Sequence, residues 1–412
     1  MTVKRLVAIM FIFVCTFIAW MILGAVNLAR TDESYAALRN EVQSLYGSQL
    51  GITAPRLVKT LPILRTETVN GVQRTFEDGV ETIPLELIVQ NVKVDLKLDQ
   101  RKKGTLWFPT FKAWFSAHYV FDIPEAYRND TLYLYSPLSS ADSIYSDIDI
   151  RLDRTPVADI APLVRNNPLP VAPAERKSIA LDVRYRCTGM EQVTYYITPD
   201  SESISRIRNL SLEFATDFDD FDFLPGTLSP TSKTHGPDGH LLSWQLRNSV
   251  TGKDVGVVIP NRLNPGEILS RVTFFAPVPL LFFFFIVMMV SLIRKIAIHP
   301  MHYFFLAATF FSFHLIFSYY SDHMNIYLAF AIAALISLLL TSTYLRLFTP
   351  PLFAFLIAPF AQLIYLVVFS FSFFFKGTTG FIGATFAVLT LAAMMQLTGR
   401  MNWEQVFEKK KS

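Results

Sequence analysis

Asp322 and His323 adjoin in the chain, and a carboxylate beside an imidazole can tune its protonation or complete a metal shell. The plainer reading is a short loop whose polar groups meet water. Two further residues stand out by position. His314 is the only Asp, Glu, Lys, Arg or His near the middle of an apolar span, and Gln362, three residues after Pro359, is the next most polar. Ionisable groups inside membrane helices mark ion or proton pathways, although a histidine there also serves to hydrogen-bond a neighbouring helix. Asp322, His323, His314 and Gln362 are therefore the candidate functional residues, and no catalytic residue, metal ligand or cofactor is assigned.

Other chemical signatures are missing. There is no G-x-S-x-G, no S-x-x-K and no P-loop. His299 and His302 bracket Pro300, but two ligands do not make a zinc site, and a Pro-started helix explains them. His118, His235 and His240 look scattered, without metal spacing. The stretch "DFDDFDFLPG" (217–226) carries four acids, yet it fits no EF-type calcium loop. Such a loop needs Gly at position 6 and Glu at position 12. Counting from Asp217, those positions hold Asp222 and Leu228. Phe218, Phe221 and Phe223 are expected to pack beneath strands, with the acids solvated.

The candidate residues must be positioned by membrane helices. The chain has 412 residues and is 51 % hydrophobic, and its apolar residues gather in six windows. These are Leu6 to Ala29, Val272 to Ile293, Met301 to Tyr320, Ile326 to Leu345, Leu352 to Phe375 and Phe381 to Leu397. Crossing a hydrocarbon core takes about 20 helical residues. The first window is longer than a signal-peptide core and reads as a retained anchor. Lys4, Arg5, Arg294, Lys295, Arg346, Arg400 and Lys409 to Lys411 share one side, with Lys376 alone opposite, so both termini are expected to be cytoplasmic. Tyr319, Tyr320, Tyr327 and Trp403 suit interfacial anchors. Gly383-x-x-x-Ala387 and Ala329-x-x-x-Ala333 suit close helix packing.

The expected fold is an α+β membrane protein: an N-terminal transmembrane helix (1–29), a large extracytoplasmic β-rich, sandwich-like domain (30–271), and a five-helix transmembrane bundle (272–400). A short basic cytoplasmic tail (401–412) suits anionic lipid. The outer domain carries 27 Lys/Arg against 31 Asp/Glu, and no basic patch suggests nucleic acid. Of two cysteines, Cys15 lies in the first span and Cys187 is alone in the outer domain, which therefore needs a packed core rather than a disulfide. Thr31 is a plausible N-cap for a short amphipathic helix over 32–47. Beyond it, "LELIVQNVKVDLKLD" (85–99) alternates, with Val92, Val94, Leu96 and Leu98 on one face. Further β-branched and aromatic runs follow, and 157–177 is expected to be a Pro-rich loop.

Several segments resemble the CreD family of bacterial inner-membrane proteins. "LYGSQLGITAPRLVKTLPI" is similar to its Trp-Gly-x-x-Gln…Gly-Pro-x-Leu segment, with Tyr46 and Ala54 substituted. "RKKGTLWFPTFKAWFSAHYVF" is similar to its Arg-Gly-Ile…Val-Tyr…Gly-x-Phe hairpin, and "FDFLPGTLSP" to its Phe-x-Phe-Leu-Pro turn. "IHPMHYFFLAATFFSFHLIFSYYSDHMNIYLAF" resembles its His-Pro-x-x-Tyr start, Phe-rich helix and Glu-His pair, here Asp322-His323. "MMQLTGRMNW" resembles its closing Met-x-x-Thr-Arg…Asp-Trp. The resemblance implies a non-enzymatic inner-membrane protein that supports envelope integrity or a stress response through its periplasmic domain. Its partners would be the lipid bilayer and an envelope protein, glycan or lipid. Two other readings stay open: a transporter or lipid-handling protein with His314 and Gln362 lining a path, and a membrane-bound hydrolase or metal enzyme using Asp322 and His323. That pair is also placed to clamp the outer domain to the bundle.

Overall fold

The computed structural model describes residues 3–69, 72–135, 138, 143–164, 167–197, 205–236, 239–262, 264–375, 377 and 379–399. The basic tail with Trp403, and the flanking Lys376 and Arg400, lie outside the described residues. The chain forms two compact units. A helical unit comprises Met1–Ala37, Gly104–Leu106 and Leu263–Ser412, and a β-rich unit comprises Leu38–Lys103 and Trp107–Arg262.

Helix α1 runs unbroken over Val3–Tyr46. The separate helix expected after a Thr31 cap does not exist. No Gly or Pro interrupts residues 25–46, and the Thr31 hydroxyl donates 2.7 Å to the Asn27 carbonyl inside the helix. Gly47, at φ 93°, ends it in the left-handed conformation that favours glycine. The second apolar window becomes two helices, α2 (Pro265–Phe275) and α3 (Pro277–Ile293), bent by 42°. Pro277 explains the break, since it has no N–H to continue the ladder. Helices α4 (Pro300–Tyr320), α5 (Ile326–Arg346), α6 (Phe353–Phe374) and α7 (Thr379–Thr398) follow.

By length and composition α1, α4, α5 and α6 can each cross a membrane, and the bent pair would add a fifth span. The apolar stretch of α7, Gly380–Gln396, is shorter. The described residues thus carry four or five candidate spans where six were expected. In α6 the turns Phe353–Ile357 and Leu363–Val368 are π-helical and flank an α-helical Ala358–Gln362. Wider turns accommodate Pro359, whose ring would crowd the carbonyl of a regular preceding turn. The core of this unit is aromatic, with Phe283, Phe310, Phe313, Phe317 and Phe330 all buried.

Small residues set two close approaches. A Cβ on Gly266 would lie 2.1 Å from Thr31 Oγ1, and one on Gly24 would lie 2.8 Å from the Phe274 ring. Ala329 and Ala333 are fully buried as expected, but Gly383 has nothing within 4 Å of its would-be Cβ, and Ala387 is exposed. The Gly383 stripe is therefore not a packing face among the described residues.

In the β-rich unit, an eight-stranded sheet runs in the order Thr155–Pro156, Tyr145–Leu152, Ser178–Met190, Thr110–Asp122, Leu87–Leu98, Ser205–Thr216, Gly239–Thr251, Ser232–Gly236. It is antiparallel except where Leu87–Leu98 meets Ser205–Thr216. Val92, Val94 and Leu96 point inward as their alternation predicts, and Leu98 is half-buried. Two four-stranded sheets share the same core: Leu50 and Val257 come from one, and Leu57 and Leu134 from the other.

The long hairpin Arg56–Val69 with Val72–Pro84 was not expected. Residues 157–177 are not wholly loop, since Ala161–Val164 is a helical turn and Leu169–Val171 a strand. Phe218 is buried, and Phe221 and Phe223 pack against the core. The acids interleaved with them do more than meet water: Asp217 Oδ1 accepts from the Leu98 N–H at 2.8 Å, Asp222 Oδ1 from the Phe223 N–H at 2.8 Å, and Asp219 Oδ1 lies 3.0 Å from His240 Nε2.

Asp254 supplies a pH test of this unit. Its Oδ1 accepts from the Ile197 N–H at 3.1 Å, yet burial raises its carboxyl above the ordinary value, and that bond offsets the rise only in part. Folding therefore favours the protonated form. The stability so contributed is full below the unfolded pKa and is lost as pH rises through the raised folded value. Asp254→Asn keeps an acceptor without the charge. Its thermal unfolding, followed at the sheet signal in circular dichroism, should exceed wild type at about pH 7 and converge with it near about pH 3. An equal offset at both pH values would contradict the assignment.

Candidate functional site

Four buried polar residues cross-link three helices of the helical unit. Ser337 and Thr341, four apart, share one face of α5. Ser337 Oγ donates to the Thr309 carbonyl of α4 at 2.6 Å, and the Thr309 and Thr341 hydroxyls meet at 2.8 Å. From α6, Gln362 Nε2 donates to Ser337 Oγ at 2.8 Å. Ser337 thus gives one hydrogen bond and takes another, which suits a hydroxyl. A second cross-link centres on Asn27 of α1, whose Nδ2 donates to Ser318 Oγ of α4 at 2.8 Å and reaches Thr273 Oγ1 of α2 at 3.5 Å. Asn27 was missed in the sequence, although an amide inside a long apolar run is itself a signal.

His314 is buried, but no hydrogen bond joins it to Gln362 among the described residues. Its Nδ1 donates to the Phe310 carbonyl one turn back, at 2.9 Å. Its ring meets Trp20 of α1 edge-on, with centroids 5.4 Å apart. Trp20 is fully buried. His314 Nε2, Trp20 Nε1 and Gln362 Oε1 are enclosed with no hydrogen-bond partner among the described residues.

Asp322 and His323 sit in the turn between α4 and α5, and no hydrogen bond or ion pair joins their side chains among the described residues. Asp322 accepts from the Arg30 guanidinium of α1, and that guanidinium lies 5.2 Å over the Tyr319 ring. His323 is exposed; its backbone N–H donates to the Tyr320 carbonyl at 3.0 Å, and its side chain has no partner among the described residues. The ionic link at this turn is therefore made to α1, within the helical unit. Arg30 is a functional contact that no motif or spacing in the sequence singles out.

The remaining histidines divide by context. His299 caps α4, its Nδ1 accepting from the Met301 N–H at 3.2 Å, while His302 Nδ1 lies 2.7 Å from the Tyr344 hydroxyl. His118 pairs with Asp182 at 2.7 Å across neighbouring strands. His235 and His240 are not scattered: the sheet sets them directly opposite one another, with Asp219 beside them.

The Arg30–Asp322 side chains are 43% and 38% exposed, so about 0.2–1 kcal/mol is the scale of the pair. Arg30→Asp alone sets two carboxylates together and should lower the melting temperature in detergent by ~2–4 °C. Adding Asp322→Arg should restore most of that loss. A double variant no more stable than Arg30→Asp would show that the pair does not hold α1 to the turn.

No curated protein matches the chain. Among solved structures, a crystal structure of a nutrient-binding candidate from Legionella pneumophila aligns with a TM-score of 0.32 and 10% identity, covering 57% of this chain and 76% of that one. A likeness at that level carries no argument about fold or function. Residues 241–404 match the family model described as inner membrane protein CreD, so the CreD resemblance read from the motifs holds over that span, and CreD is an inner-membrane family.

Proposed function

We propose that this chain is a non-enzymatic inner-membrane protein that contributes to cell-envelope integrity, or to the response to envelope stress, through its β-rich unit. The observation that carries the reading is the engagement of the candidate residues of the helical unit. Gln362 bonds Ser337, His314 bonds its own helix, and Asp322 is neutralised by Arg30. Those contacts support a scaffold rather than a reaction or a path, and leave the β-rich unit as the part that meets a partner.

The Lys/Arg bias supports an orientation with both termini in the cytoplasm and the β-rich unit in the periplasm. In that arrangement the bent pair α2–α3 and the short α7 each serve as one span, completing a five-helix bundle after the anchor. The partner would be an envelope protein, glycan or lipid.

Two measurements test this. A topology reporter inserted between Ala174 and Glu175 should report the periplasm, and a tag after Ser412 the cytoplasm; the reverse would overturn the orientation. Deleting the gene should sensitise cells to at least one of detergent, colicin and β-lactam, with rescue by the wild-type gene. Unchanged growth under all three would count decisively against the envelope role.

A further inference from the structure

We propose that Asp219, His235 and His240 form a binding site for a divalent cation of the zinc class. The site follows from strand register. Thr216, near the end of Ser205–Thr216, lies opposite His240, and His240 lies opposite His235 on the edge strand Ser232–Gly236. Residues directly opposite across an antiparallel pair project from the same face, and the two imidazole centroids are 4.6 Å apart. The chain turns after Thr216 and brings Asp219 Oδ1 to 3.0 Å from His240 Nε2. One ligand atom from each of the three residues lies within 4.8 Å of the other two.

The backbone beneath the site is fixed. Gly239 has φ +129°, and a Cβ there would fall 1.7 Å from the Thr216 carbonyl oxygen, so only glycine lets the hairpin seat against the strand that leads to Asp219. Phe221 packs edge-on against His240, with centroids 5.4 Å apart, and Lys233 Nζ sits 4.3 Å from the centre of the Phe221 ring. Asp217 and Asp222 are engaged by backbone amides, whereas Asp219 turns toward the histidines. His240 presents Nε2 to Asp219, while its Nδ1 is enclosed and has no partner among the described residues.

The donor set selects the cation. Calcium and magnesium take oxygen ligands, while imidazole suits zinc and its neighbours in the first transition row. Two imidazoles and one carboxylate leave a fourth tetrahedral position open. Ligands on zinc at 2.0–2.2 Å lie ~3.4 Å from one another. Reaching that spacing from within 4.8 Å asks only for modest rotation of side chains, two of which are exposed. A bound cation would tie the edge hairpin of the large sheet to the acidic loop, so that "DFDDFDFLPG" supplies a ligand to a nitrogen-rich site rather than a calcium loop.

The test uses the full-length protein in detergent, purified without a histidine tag, equilibrated with Zn²⁺ and desalted before its metal content is measured. Wild type and His118→Ala should each retain about one Zn²⁺ per chain. Losing an outer-shell partner alone costs ~10–100-fold in metal affinity, so His235→Ala and Asp219→Asn should each weaken binding by ~100-fold or more. Both substituted residues are exposed, so neither change threatens the fold. Wild type that retains no zinc, or variants that retain it as wild type does, would overturn the proposal.

Discussion

A polar group inside a bilayer has no water to turn to, and this constraint organises the helical unit. Ser337 is the point where it acts most strongly. By donating to the Thr309 carbonyl and accepting from Gln362, it fixes α4, α5 and α6 at a single level. Measured interhelical hydrogen bonds average about 0.6 kcal/mol, far too little to hold a bundle together singly. Their effect is on register: the aromatic core could slide with little penalty, but a slipped helix would strand these groups in hydrocarbon. Asn27 sets the level of α1 against α2 and α4 in the same way, and Arg30 and Asp322 repeat the link with charges at the helix end.

The β-rich unit answers a different constraint, the need for three sheets to close one core without an internal disulfide. Cys187 is buried, and burial pushes its thiol up to about 12, so it behaves as a small apolar side chain. Tyr119 and Tyr195 meet inside that core, and Tyr195 donates to Gln90 at 3.0 Å. The large sheet ends in two short strands, Thr155–Pro156 and Ser232–Gly236, which limits the backbone left open at its edges.

Most elements were legible because one physical signal dominated each. Alternation marked Leu87–Leu98, and apolar length marked α4, α5 and α6. The signal failed where two physical causes share a residue type. Thr31 has the side chain of an N-cap, but the same hydroxyl bonds back within a continuing helix. The paired strands Arg56–Val69 and Val72–Pro84 were missed because residues 62–65 on one and 78–82 on the other are all exposed, which leaves no buried face there for an alternation to mark. The partners of the candidate residues were illegible for another reason. Arg30 and Asp322 are 292 positions apart, and no local spacing reports such a contact. The histidine pair had a visible sign, since His-Gly-Pro-Asp-Gly-His flanks turn residues symmetrically, and a hairpin there sets the two rings opposite each other.

The central claim is that the polar residues of the helical unit are sealed into helix contacts rather than lining a wet path. Ser337→Cys tests it with a near-isosteric change, in a chain whose native Cys15 and Cys187 are replaced by Ser and Ala. Membranes carrying it would be treated with a water-soluble maleimide, beside an exposed control at the α4–α5 turn, His323→Cys. The account predicts that position 337 stays unlabelled until the protein is unfolded, while position 323 labels readily. Labelling of Ser337→Cys in the native membrane at a rate near that of the control would contradict it.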